Sequence, residues 1–394
     1  MLEQAKALAD ELVRLRRDIH AHPELSFQET RTAALVADTL GEIGGFKIRT
    51  GVGKTGVIAE LGESGPLIAI RADMDALPIL ETPDVAYRST NPGVHHACGH
   101  DAHTAMLLGV AHLLRQSYAT EGGLNGRVRL LFQPSEEAWD SEGLSGAPRM
   151  INDGAMEGVD AVIALHVDST APVGTIGVRS GFVTAAVDDC QGWIYGTGGH
   201  GAYPHGGTDP TYMLISVLTA LHGIRARNIN PMEPGVCSVG IIQAGSASNV
   251  IPSEVCLRGT LRSFSEHVRN QLSEGVEKAF AVAKALGGDY KVEVQRGYPA
   301  GWNDERVAGW MEQVGIDLLG SEAIDKTKSG MGAEDFAYMC QKAPGAMINL
   351  GAAIDDGIVR GHHTPIFDID ERCLPLGSAI LAETALRFLK GYVK

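Results

Sequence analysis

The stretch PLIAIRADMDALP, residues 66 to 78, is a short apolar run that stops at a cluster of charged groups. The same sentence structure recurs along the chain. VRLLF (128–132) runs into QPSEE, DAVIAL (160–165) ends at His166, and AMINL (346–350) ends at glycine. Helical patterns lie between these runs. From His103 to Gln116, for example, Met106, Leu107, Val110, Leu113 and Leu114 recur on one side. Apolar strands alternating with helices predict an open, mainly parallel α/β sheet. In such sheets a site forms beyond the carboxyl ends of the strands, which is where the polar clusters fall.

The middle of the chain has a different rhythm. Residues 187–196, 236–244, 254–262 and 289–296 read as strands, and 209–227 and 265–286 as helices. The order β-α-β-β-α-β is the ferredoxin-like split motif. The expected organisation is one α/β domain made of 1–182 and 298–394, interrupted by an α+β insert at 183–297.

Bulk properties narrow the function. The chain has 394 residues, 44% of them hydrophobic and 21% charged, as in a globular protein with a full core. A formal net charge of −15 argues against nucleic acid and against an anionic membrane surface as partners. The N-terminal MLEQAKALADELVRLRR is charged and amphipathic, neither a signal peptide nor a span. Six scattered cysteines with no CxxC pair point to reduced thiols and a cytoplasmic location.

The densest chemistry lies in HHACGHDAH, residues 95–103. Cys98 and His100 suit zinc, and also manganese, cobalt or nickel, and Gly99 permits the curl that brings them together. The bland alternative is a solvated histidine-rich loop. Two residues do not make a site, and the other donors stand at predicted strand ends: Glu136 and Glu137 after VRLLFQPS, His166 after DAVIAL, and His363 in GHHTPIFD. Taken singly, the Glu pair reads as a solvated loop and His166 as a hydrogen-bonded, half-buried histidine. Adjacent carboxylates beside a buried strand need a cation or a raised pKa.

RRDIHAHPELSFQE, RADMDALP, HACGHDAHTAMLLG, LLFQPSEE, ALHV, GTGGHGAYPH, SNVIP, RGTLR, GAEDFAYM and HHTPIFDID, in this order, resemble the M20 metallopeptidase family, in its amidohydrolase branch of N-acyl-amino-acid amidohydrolases and hippurate hydrolases. The resemblance spans nearly the whole chain. It implies a catalytic domain holding two divalent metal ions, with the insert as a lid and dimerisation domain. It implies Cys98, His100, Glu137, His166 and His363 as ligands, with Cys98 bridging. Five protein ligands serve two ions only if a ligand and a water are shared, at a separation of about 3.5–4 Å.

By the same resemblance Asp73 orients a ligand histidine, and Glu136 is the general base that takes a proton from the attacking water and returns it to the leaving nitrogen. An irregular turn is expected at the Glu pair, because adjacent strand residues diverge. His200 would stabilise the oxyanion, and Asn249 and Arg258 would bind substrate, Arg258 through its planar fork. His205 is secondary, and Glu334 and Asp335 are candidates for the pocket lining. His20, His22, His95, His103, His112, His222, His267 and His362 read as structural. Two departures stand out: His95 occupies a place where an apolar residue is commoner, and WDSEGLSGAPRM (139–150) is longer than usual.

The expected activity is hydrolysis of the amide of an N-acyl-L-amino acid by a homodimer or larger homo-oligomer. Three rivals remain: a dipeptidase or carboxypeptidase on the same scaffold, a non-catalytic metal-binding relative, and a thiol enzyme with Cys98 as nucleophile and His100 as base.

Overall fold

A computed structural model describes residues 1–327 and 329–391. The chain divides into two compact units. The first holds Met1–Val183 and the described residues of Trp302–Lys328 and Asp335–Lys394; the second holds Thr184–Gly301 and Ser329–Glu334. The breaks thus fall at 183/184 and 301/302, and the short segment 329–334 joins the second unit.

The first unit is built on an eight-stranded sheet. Its spatial order is Lys47–Val52, Gly56–Leu61, Arg127–Gln133, Leu67–Asp73, Ala161–Pro172, Gly345–Ala353, Ile176–Gly177 and Ile324–Asp325. The four central strands run parallel, while Gly56–Leu61 pairs antiparallel with Arg127–Gln133 at one side. Period-two alternation explains the continuous apolar runs. Ile68, Ile70 and Ala72 face a core shared with the helices His100–Glu121 and Cys373–Leu389, while Ala69 faces a second core with Met150, Phe336 and Met339. Both faces are covered, so the strand is apolar up to Ile70, and the buried charges beyond it are paired with each other. Leu67–Asp73 is buried from end to end, including its charged terminus Arg71-Ala72-Asp73.

The second unit is a four-stranded antiparallel sheet in the order Gly235–Ala244, Glu254–Ser263, Ala186–Tyr195, Asp289–Arg296. Helices Pro210–Arg227 and Glu266–Ala285 supply its core through Met213, Val217, Leu221, Leu272, Val276 and Phe280. Both helices start with a side-chain cap, Asp209 on Thr211 N–H and Ser265 on Val268 N–H. The connectivity is the ferredoxin-like split motif.

Candidate metal centre

The sheet delivers its polar clusters to one place. Asp73 ends one central strand, Gln133 ends its neighbour, and His166 lies in the third. Gly99 starts the helix His100–Glu121 in the left-handed region, at φ +90°, and a Cβ there would stand 2.4 Å from Val167 Cγ2. Only glycine fits that turn without displacing the strand that carries His166. The turn puts Cys98 on one side and His100 on the other.

Cys98 Sγ lies 3.5 Å from His166 Nε2 and 3.8 Å from His362 Nδ1. One donor atom each from Cys98, Glu137 and His363 falls within 4.8 Å of the others, and the same holds for His100, Glu136 and Glu137. His363 Nε2 is 3.0 Å from Glu137 Oε1, and His100 Nε2 is 4.0 Å from that oxygen. The five sequence-predicted ligands are thus brought together around Cys98 and Glu137. His362, read from the sequence as structural, joins them beside Cys98 and His166.

The tautomers follow from what the second ring nitrogens touch. His166 Nδ1 is 2.7 Å from the Val167 carbonyl, which can only accept, so Nδ1 donates and the Nε2 lone pair faces Cys98. His100 Nδ1 is 2.9 Å from the Asp75 carbonyl and 3.2 Å from its carboxylate, so Nδ1 donates and Nε2 is the nitrogen turned inward. That Nε2 is buried and has no hydrogen-bond partner. A buried polar atom left without a hydrogen bond costs about 1–3 kcal/mol. A bound cation satisfies it, and the surrounding sulfur, nitrogen and carboxylate donors suit a zinc-type divalent ion.

The local field favours positive charge. Burial would discharge His100, yet Asp73, Asp75 and Glu137 outweigh it and raise its pKa to about 10. Burial, then Glu137, Glu136 and Asp73, push the Cys98 thiol well above its ordinary value. A thiol so placed resists ionisation until a cation offsets the carboxylates. This is the opposite of the electropositive setting of a nucleophilic cysteine, and the imidazoles nearest the sulfur are His166 and His362, not His100.

Asp73 does hold a histidine by its Nδ1, but that histidine is His103, at 2.6 Å. His103 Nε2 in turn accepts the Val167 N–H at 2.9 Å, which fixes the strand carrying His166. Asp73 also lies 3.5 Å from His100 Nε2. The carboxylate behind His100 is Asp75, which additionally accepts the backbone N–H groups of Glu136 and Glu137 at 3.0 and 3.1 Å. Asp75 went unnoticed in the sequence, although it stands two residues on in the same RADMD run.

The Glu pair sits on an irregular turn. Ser135 has φ +44°, uncommon for a residue with a side chain. Its N–H is held at 2.8 Å by the buried carboxylate of Glu29, a second residue the sequence reading missed. Asp335 is buried and occupied by Arg71, Gln133, Ser145 and Ala147, while its own N–H lies 3.4 Å from Glu136 Oε1. It anchors the base candidate rather than lining an open pocket, whereas Glu334 belongs to the second unit.

His200, Asn249 and Arg258 also belong to the second unit. His200 lies in a two-residue strand, Gly199–His200, paired with Val250–Ile251, and the Asn249 carbonyl accepts the Gly201 N–H at 2.8 Å. His200 is exposed, and its Nδ1 accepts the Ala202 N–H at 3.0 Å. The structure therefore brings His200 and Asn249 together. Arg258 lies elsewhere, on the central sheet, in a cavity lined by Asp189, Gln191, Ser238 and Glu293.

A parallel α/β sheet with a split-motif insert and a cation-seeking cluster at its strand ends defines a class: hydrolases of the metallopeptidase type. Residues 69–387 match the family described as Peptidase family M20/M25/M40, and the chain belongs to that family. It is 41% identical to the N-acetyl-L-cysteine deacetylase of Bacillus subtilis, over 97% of this chain and 89% of that one. It is 37% identical to thermostable carboxypeptidase 2 of Saccharolobus solfataricus, over 97% and 96%. Among solved structures, the Bacillus subtilis YXEP protein, described as a dinuclear metal binding peptidase from the M20 family, superposes with a TM-score of 0.83. It is 34% identical, and 98% of this chain and 99% of that one are covered. The chain is an M20 hydrolase of the amidohydrolase type.

Proposed function

We propose that the protein hydrolyses the amide of N-acyl-L-amino acids and that Cys98, His100, Glu137, His166 and His363 would hold two divalent metal ions. Zinc suits this donor set best, and manganese, cobalt or nickel are alternatives. The observation that carries the reading is the buried His100 Nε2, oriented by Asp75 and left without a hydrogen bond among three carboxylates. When bound, the ions polarise the scissile carbonyl and lower the pKa of water at the site.

The remaining chemistry belongs to the chain. Glu136 is buried beside Glu137, its backbone fixed by Asp75 and its carboxylate within reach of the Asp335 N–H. Glu136 takes the proton of the attacking water and delivers it to the departing amine nitrogen. Asp73 acts one step away, through His103 on the His166 strand. His200 serves the developing oxyanion and Asn249 the amide.

The exposed edge strand Gly235–Ala244, with Ile241 and Ile242 uncovered, supports pairing with a second copy as a homodimer. No described helix is long and apolar enough to cross a membrane. Six free cysteines fit a cytoplasmic protein.

Carboxypeptidase action is the second reading, favoured by the similarity to a protein of that name. Rates on N-acetyl-amino acids and on free dipeptides, with and without chelator, separate the two. Chelator-sensitive turnover of the acylated substrates alone supports the proposal; preference for free dipeptides overturns it.

A further inference from the structure

A second group of donors meets in the interior of the first unit, away from Cys98. His20 comes from the helix Ala9–Ala21, Glu81 from the segment after Leu67–Asp73, and His95 from the run that leads to Cys98. All three are buried, with exposures of 1%, 3% and 0%. One donor atom from each lies within 4.8 Å of the others. His20 Nε2 is 3.2 Å from Glu81 Oε1, and His95 Nε2 is 3.8 Å from the same oxygen.

Each side chain is braced for an inward ligand atom. His20 Nδ1 lies 2.7 Å from Asp101 Oδ2, an acceptor, so Nδ1 donates and Nε2 is the nitrogen turned to Glu81. Glu81 Oε2 is occupied by the Ser89 N–H at 2.7 Å, which leaves Oε1 turned towards the two rings. Neither ring nitrogen of His95 has a hydrogen-bond partner. The gap between His20 Nε2 and Glu81 Oε1 holds either a proton on the ring or a cation shared by both atoms. Glu81, Asp101, Asp368 and Glu371 outnumber the guanidiniums of Arg16 and Arg17, so positive charge is favoured here. A proton there leaves the buried His95 ring without a hydrogen bond, whereas a cation engages it.

We propose that His20 Nε2, His95 Nε2 and Glu81 Oε1 bind a further divalent cation of the zinc type, with a structural role. Bonds of about 2.0–2.1 Å in a tetrahedron separate ligand atoms by about 3.3 Å, so a closure of at most about 1.5 Å brings these atoms into place, and water takes the fourth position. The carboxylate behind His20 is the usual support for a ligand imidazole. The ion ties the N-terminal helix to the segment that runs into Cys98. The inference does not depend on the reaction proposed above.

The test is zinc content per chain, measured by mass spectrometry after equilibration with micromolar zinc and removal of the excess. A Cys98→Ser/His166→Ala chain should retain one zinc ion, and adding Glu81→Gln should remove it. In the otherwise unaltered chain, Glu81→Gln and His95→Phe should each lower the content by one ion. If His95→Phe does not fold, Glu81→Gln, nearly the same size, decides alone. No zinc in the first chain, or equal zinc with and without Glu81→Gln, overturns the proposal and leaves a proton on His20 as the occupant of the gap.

Discussion

His100 turns its Nδ1 to Asp75, 2.9 Å from the carbonyl and 3.2 Å from the carboxylate, and so holds its Nε2 bare in the interior. Carboxylates behind ligand histidines typically contribute 10–100-fold in metal affinity. Asp75→Asn is therefore expected to weaken metal binding about 10–100-fold. Asp73→Asn, which acts through His103, should weaken it less. Competition with a chromophoric chelator measures both, and an equal or reversed ranking would show that Asp75 does not orient His100.

Glu136 is assigned to proton transfer and Glu137 to the metal. Glu136→Gln should keep the full metal content and lose about 10²–10⁴-fold in kcat. Glu137→Gln should lose metal as well. A Glu136→Gln enzyme with near-normal kcat would remove the base from the account.

Glu29 is a buried carboxyl whose pKa is raised to about 7, first by burial and then by the Asp75 charge. The folded state therefore holds this proton more tightly than the unfolded chain, where the value is near 4.5. Stability from this group is fully present below about pH 4.5 and is lost as pH rises through about 7. The metal-free protein should lose on the order of 3 kcal/mol from this group between pH 5 and 8. Glu29→Gln should flatten that slope in urea unfolding measured across the range. An unchanged slope would mean that Glu29 ionises freely in the fold.

Gly99 at φ +90° makes the turn that separates Cys98 from His100. Gly99→Ala combines a left-handed strain of about 1–2 kcal/mol with the contact on Val167. It should lower stability by at least that strain and displace the strand of His166, with reduced metal affinity. Denaturant unfolding and metal titration would check the two effects together. Wild-type values in both would show that the turn tolerates a side chain.

Much of the scaffold was legible because alternation and helical spacing are local signals. The insert's strand Glu254–Ser263 was readable from Val255, Leu257 and Leu261 alternating with Arg258 and Arg262. The strand ends at Asp73 and Gln133 follow from apolar runs that must be buried on both faces, whereas the strand expected to end at His166 continues to Pro172. What the sequence hides is the pairing of carboxylates with imidazoles. Asp73 ends its strand and Asp75 lies beyond it, and they take different partners, His103 and His100. Only the packing of the helix His100–Glu121 against the sheet decides which. Glu29 is more than 100 residues from Ser135, and no local pattern links them. His362 and His363 are adjacent, yet one reaches Cys98 and the other Glu137, because His363 takes a left-handed φ of 59°.

The central claim concerns a pair of ions sharing the Cys98 sulfur. Anomalous diffraction at the zinc edge, on crystals equilibrated with zinc, tests it most directly. The account predicts two peaks about 3.5–4 Å apart, one contacting His166 and the other His100 or Glu137, with Cys98 Sγ bonded to both. No peak bonded to Cys98, or zinc only at sites remote from Glu137 and His166, would contradict it.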